Sequence, residues 1–160
     1  MTATRTYAPW VEPVVADFRR ERGVVSEFAR SAAPPFWEQA TALEGWACKD
    51  ILAHLAAGTN KQVQAILQAV VTKTRLDPAI FGDTDAVNAR EVEARRSRPV
   101  DAVIAEYEAD TEEILDLLAQ LQESDGELRQ KDFTMSLGDA LKMFPSHDRE
   151  HLEQLREASR

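Results

Sequence analysis

Apolar residues recur at three- and four-residue spacing along four long stretches of the chain, which is the pattern of amphipathic helices. The four stretches cover residues 10–30, 47–72, 100–122 and 136–157. The last one carries a single apolar stripe made of Leu137, Leu141, Phe144, Leu152 and Leu155. The sequence shows no alternating pattern typical of a β-strand. It therefore predicts an all-α protein built around four helices.

The connections between these helices differ in length. Two prolines and a glycine interrupt residues 31–45, where only a short turn at residues 37–42 is expected. Residues 73–99 are more irregular, with one short helix predicted at residues 85–95. This second connection is far longer than antiparallel neighbours need, so we expect it to cross over and leave helices two and three parallel. Together these features predict a four-helix bundle forming one domain, residues 1–160.

The fourth predicted helix has a clear start and one anomaly. Ser136 is suited to cap its N-terminus, and Asp139 is suited to return a hydrogen bond. Pro145 lies inside the helical pattern, where it removes the hydrogen bond to the carbonyl of Leu141. It would either kink the helix and orient the residues that follow, or divide the segment into two helices.

All three histidines of the chain fall in predicted helices. His147 and His151 lie four residues apart, so their rings project from one face about one turn apart. His54 lies at the border of the apolar stripe of the second helix. Three neutral imidazoles can hold a catalytic zinc ion and leave one coordination position open. We therefore hypothesise that the three histidines converge on one divalent ion, the alternative being three packed or solvated side chains.

The residues near the histidines leave several roles open. Asp50 lies one turn before His54, and it would either orient that ring or stabilise the first turn of the helix. Gly58 would either allow close helix packing or leave room for a substrate. Asp148 and Glu150 do not share the face of the histidine pair, so we interpret both as solvated charges. Residue 148 is also not the glutamate that the H-E-x-x-H protease motif requires, which argues against that class.

Composition and charge narrow the classes of function. The net charge of −9 argues against a nucleic-acid-binding protein. Arg90, Arg95, Arg96 and Arg98 form a basic cluster, but the acidic residues between them indicate a solvated mixed-charge face. The sequence has no apolar run of membrane-spanning length and no signal-peptide pattern, so we expect no membrane partner and a cytoplasmic location. The single cysteine, Cys48, is predicted to be a packed thiol.

Two segments of the chain resemble the DinB/YfiT-like superfamily of metal-dependent helical bundles. The first is LEGWACKDILAHL at residues 43–55, with a tryptophan before the helix, a Lys-Asp pair and an Ala-His-Leu triplet. The second is HDREHLEQL at residues 147–155. The sequence DAVN at residues 85–88 also resembles a stretch that often precedes the third helix of the family. One departure is Ala47, where the family usually has a serine that could cap helix two.

This resemblance implies an up-down-down-up bundle with a divalent ion on His54, His147 and His151. Zinc suits three imidazoles, and nickel, iron, manganese and copper are alternatives. The family includes homodimers, hydrolases, relatives of an isomerase, and transferases that use a low-molecular-weight thiol, mycothiol or bacillithiol. We therefore expect either a thiol S-transferase or a hydrolase that acts on a small electrophilic substrate, with Asn88 lining the substrate pocket. The alternative is a bundle that binds a metal or small ligand without turnover.

Overall fold

The computed structural model describes residues 4–129 and 135–160, and most of these residues are helical. In this part of the chain the helices are α1 (Glu12–Ser31), α2 (Cys48–Leu55), α3 (Gly58–Thr72), α4 (Thr84–Arg95), α5 (Val100–Leu118) and α6 (Leu137–Ala158). Short 3-10 helices lie in the connections, at Pro34–Glu38, Pro78–Phe81 and Glu123–Glu127. An isolated bridge between Ala40 and Ala47 is the only β-type pairing among the described residues. The predicted all-α class is confirmed.

The second predicted helix differs from the observed one. The prediction of one continuous helix over residues 47–72 is wrong, because the backbone leaves the helical conformation at Ala57, with φ −127° and ψ −98°. Asn60 contributes a physical reason. Its buried side-chain amide donates to the carbonyl of Leu55, 3.0 Å away, and so satisfies a carbonyl at the end of α2. The segment therefore forms two helices, α2 and α3, separated by a sharp turn.

The segments that connect the long helices match the predictions in part. α4 is the short helix predicted at residues 85–95. The short turn expected at residues 37–42 occurs earlier, as the 3-10 helix Pro34–Glu38, because proline is favoured at the start of such a turn. The sequence also predicts a loop at residues 124–133, a polar stretch that contains Gly126. The 3-10 helix Glu123–Glu127 lies at its start, and the end of this stretch lies outside the described residues.

The starts of α2 and α6 show how the sequence stabilises helix ends. Ser136 Oγ accepts a hydrogen bond from the backbone N–H of Asp139 at 3.2 Å, as predicted. At α2 the side chain of Ala47 offers no acceptor, but the carboxylate of Asp50 accepts the backbone N–H of Ala47 at 2.9 Å. α6 is continuous through Pro145, so the alternative of two separate helices is wrong.

Two clusters of buried apolar side chains fill the bundle. One joins the N-terminal half of α1, α3, the C-terminal half of α5 and the start of α6. The other joins the C-terminal half of α1, α2, the N-terminal half of α5 and the end of α6. This distribution is in keeping with the up-down-down-up order, which stays a prediction, as does the assignment of residues 1–160 to one domain. No helix in the described residues has the length and apolar character needed to cross a membrane.

One member of the basic cluster is buried rather than solvated. Arg95 is 6% exposed and donates to Glu91 at 2.9 Å and to Glu106 at 2.6 Å. The interpretation of a solvated face is wrong for this residue, because the guanidinium lies between carboxylates of α4 and α5. The other three arginines of the cluster, Arg90, Arg96 and Arg98, are exposed.

Candidate metal centre

The packing of α2 against α6 brings the three histidines together. His54 lies in the last turn of α2, and its Nε2 is 3.0 Å from Nε2 of His147 in α6. Nε2 of His147 is in turn 3.2 Å from Nε2 of His151. One ligand atom from each histidine lies within 4.8 Å of the others. Nitrogen ligands of a tetrahedral zinc ion, with Zn–N bonds of about 2.0–2.1 Å, lie about 3.4 Å apart, so this spacing fits one ion.

The environment keeps two of the imidazoles neutral. His54 is 6% exposed, and burial, followed by the nearby His151 and His147, lowers its pKa to about 3. Burial also lowers the pKa of His151 below its ordinary value. Both rings therefore have a nitrogen lone pair available at neutral pH. The side chain of His147 is 27% exposed, and His151 is also only partly buried, so the two histidines of α6 lie nearer the solvent than His54.

Gln154 orients one of the rings. Nδ1 of His151 lies 2.7 Å from Oε1 of Gln154, so Nδ1–H donates to the amide oxygen and Nε2 is left to face the other histidines. Sequence reasoning misses Gln154, although its position three residues after His151 on a helix is a usable signal. The ring of Trp46 packs against the ring of His54, with the two ring centroids 5.5 Å apart.

Nδ1 of His54 is buried and has no hydrogen-bond partner within the described residues. Asp50, which the sequence offers as its orienting group, instead binds the N–H of Ala47 and lies 3.1 Å from Nε of Arg96. Of its two roles, stabilisation of the first turn of α2 is therefore the one observed.

A buried ion pair lies behind His147. Asp148 is 3% exposed, and its Oδ2 is 2.7 Å from Nε of Arg22 in α1, while its Oδ1 is 3.8 Å from Nδ1 of His147. The interpretation of Asp148 as a solvated charge is wrong, because α6 packs against α1 on this side. The guanidinium of Arg22 also lies 4.2 Å from the ring centroid of Tyr107, and burial raises the pKa of Tyr107 above its ordinary value.

The start of α3 completes the surroundings of the centre. Oγ1 of Thr59 lies 3.3 Å from Nε2 of His147. A Cβ atom on Gly58 would lie 2.6 Å from Oδ1 of Asn88, so glycine at this position lets the Asn88 side chain lie against the start of α3, and a larger residue would displace it. Asn88 therefore lies beside the turn that carries Thr59, and its predicted contact with substrate stays a prediction. Cys48 is a fully buried core residue, as predicted, and burial raises the pKa of its thiol.

Comparison with known proteins places this architecture in a family. A solved structure, the mycothiol-dependent maleylpyruvate isomerase, aligns with a TM-score of 0.75 at 15% sequence identity, which shows a shared fold. The alignment covers 92% of this chain and 61% of that protein, so the chain spans less than two thirds of its length. No curated protein sequence matches the chain significantly. The family model of the DinB superfamily matches residues 17–155, a range that includes all three histidines. The chain therefore belongs to the DinB superfamily.

Proposed function

We propose that this protein is a metal-dependent enzyme, either a thiol S-transferase or a hydrolase, that acts on a small electrophilic molecule. The observation that carries the proposal is the convergence of three imidazole nitrogens from two helices at distances of 3.0 and 3.2 Å. Three neutral ligands suit zinc, and the same donor set also accepts nickel, iron, manganese or copper. When bound, a divalent ion supplies a Lewis acid and lowers the pKa of a water or thiol placed on it.

The side chains around the centre have defined tasks in this proposal. Burial keeps His54 neutral, and Gln154 holds the tautomer of His151 in which Nε2 faces the ion. Trp46 covers the His54 side with an apolar ring, whereas the partly exposed His147 leaves access for a small molecule. Asn88, next to Gly58, is proposed to contact the substrate.

The nucleophilic thiol of the transferase reaction is proposed to come from a separate small molecule. Cys48 is unsuited to this role, because it is fully buried and its pKa is raised. The solved structure with the same fold is described as mycothiol-dependent, which supports a low-molecular-weight thiol as co-substrate. A homodimeric assembly belongs to the same proposal and is expected from the family resemblance.

A turnover screen tests the proposal. Zinc-loaded protein is incubated with monochlorobimane and mycothiol, bacillithiol or glutathione for thiol transfer, and with p-nitrophenyl acetate for hydrolysis. We expect turnover in one of the two assays, its loss after chelation, and no turnover by His54→Ala. A fully zinc-loaded parent protein with no turnover in either assay would instead favour the binding protein without catalysis.

A further inference from the structure

The break between α2 and α3 brings a hydroxyl group to the histidine cluster. In one continuous helix, residue 59 would lie about 140° around the helix axis from residue 54, away from the face that carries the imidazole. The turn at Ala56 and Ala57 changes this geometry. It places Oγ1 of Thr59 at 3.3 Å from Nε2 of His147, the nitrogen that also approaches the other two histidines.

Buried hydrogen bonds hold the backbone just after Thr59, and the Asn88 side chain lies against Gly58 just before it, with its Oδ1 2.6 Å from where a Cβ atom would be. Asn60 is fully buried, donates to the carbonyl of Leu55, and accepts a hydrogen bond from Nη2 of Arg22. Arg22 is itself buried and paired with Asp148. These contacts hold the first turn of α3 in place and so keep Thr59 next to His147.

Metal binding would change the hydrogen bonding of this hydroxyl. Without an ion, the lone pair on Nε2 of His147 is available to accept a hydrogen bond from Thr59. An ion on the three histidines takes that lone pair, and the hydroxyl then needs another acceptor close to the same point. His147 and Thr59 are both partly exposed, so a small molecule that reaches the centre on this side would come close to the hydroxyl.

We propose that Thr59 donates a hydrogen bond to the exogenous molecule at the open coordination position, and that it thereby fixes the orientation and helps set the selectivity of that molecule. This inference rests on the proposed metal centre. If it is right, replacing Thr59 should change the affinity for the exogenous molecule and leave the affinity for the metal unchanged.

Azide binding to the cobalt-loaded protein tests the role of Thr59, with the visible spectrum of Co²⁺ as the signal and with the cobalt content measured for each variant. Thr59→Val, which removes the hydroxyl and keeps the shape, should bind azide about fivefold more weakly, the effect of one lost hydrogen bond. Thr59→Ser should bind azide like the parent. Thr72→Val is the matched control, because Thr72 lies on the same helix and its exposed hydroxyl donates to the carbonyl of Gln68.

Equal azide affinity in the parent and Thr59→Val, with equal cobalt content, would overturn the role of Thr59 and leave the metal centre intact. Loss of cobalt from Thr59→Val would also overturn it, since the residue would then act on the metal itself. A parent protein that binds no cobalt would overturn both proposals. Thr59→Ala provides a second hydroxyl-free variant, so the test does not depend on the folding of Thr59→Val.

Discussion

Asp148 and Glu150 flank the same pair of histidines, yet only Asp148 is buried. Helical spacing correctly separates both residues from the histidine face, but it does not reveal what the other faces of the helix contact. Arg22, more than a hundred residues earlier, supplies the partner that makes burial of Asp148 tolerable. A buried pair of this kind is costly to break, because the remaining charge has lost both water and its partner.

Asp148→Asn should therefore lower the free energy of unfolding by about 3 kcal/mol, since the cation of Arg22 would stay buried without its counter-charge. Glu150→Gln, two residues away and exposed, should change it by less than about 0.5 kcal/mol. Urea denaturation of the metal-free proteins measures both values. Equal, small effects of the two substitutions would show that the Arg22–Asp148 pair does not stabilise the fold.

Other residues near the centre differ in how well sequence predicts them. The three histidines are predictable because two share a helical face and the chain contains no others. Gln154 is within reach of the same reasoning, since it lies one turn from His151. Thr59 is not, because its position depends on a turn that interrupts an otherwise helical pattern.

At the scale of helices, apolar periodicity predicts α1, α5 and α6 well, and the short helix predicted at residues 85–95 matches α4. It fails between α2 and α3, where the apolar spacing continues across the break. Residues 56 to 58 are Ala-Ala-Gly, and neither alanine opposes a helix. The break depends instead on the tertiary contacts of Asn60 with Leu55 and Arg22, which no local pattern contains.

Pro145 allows a test of how α6 presents its histidines. Pro145→Ala restores the helical N–H to the carbonyl of Leu141 but removes the packing of a buried ring, so the melting temperature should change little. If the proline orients His147, two residues later, the zinc affinity should fall by roughly tenfold. Calorimetry and competitive zinc titration measure the two quantities.

Ser146→Ala is the neighbouring control, because Ser146 is exposed and its hydroxyl donates to a backbone carbonyl of the same helix, that of Met143. It should leave zinc affinity and melting temperature close to those of the parent. If Pro145→Ala loses stability and zinc affinity to the same extent, the proline has only a packing role.

Across the whole molecule, ion pairs join different helices and make stability depend on pH. Burial would raise the pKa of Glu106, but hydrogen bonds from Arg95 and Arg98 hold it below the ordinary 4.5. The hydrogen bond from Arg149 likewise lowers the pKa of Glu21. A carboxyl with a lowered pKa in the folded state is protonated first in the unfolded chain as the pH falls. Its contribution to stability is therefore complete above pH 4.5 and is lost as the pH falls through the folded-state pKa.

The free energy of unfolding of the metal-free protein should therefore fall as the pH drops below about 6.5, because the buried ring of His54 resists protonation in the folded state. It should fall further below about pH 4.5, where these carboxylates are protonated. Glu106→Gln should be less stable than the parent at neutral pH and should lose less stability over this range. The exposed Glu157→Gln is expected to follow the parent. Asp110, whose pKa burial raises, acts in the opposite direction, but it is present in all three proteins. If the free energy of unfolding falls equally with pH in the parent and in Glu106→Gln, the ion pairs of Glu106 do not contribute to the pH dependence.

Elemental analysis shows directly whether the three histidines brought together by α2 and α6 hold a metal ion. Protein is purified without an affinity tag, reconstituted with zinc and freed of unbound metal. The parent should contain about one ion per chain, and His54→Ala should contain almost none, because the centre would lose the only ligand from α2.

Cys48→Ala is the control, because Cys48 lies in the core of α2 and is not one of the three candidate ligands. This variant should keep the metal content of the parent. This control separates loss of a ligand from general disturbance of α2. We expect near-stoichiometric metal in the parent and in Cys48→Ala, and its loss in His54→Ala. Metal-free parent protein after reconstitution, or equal metal in the parent and His54→Ala, would show that these histidines do not form the metal centre.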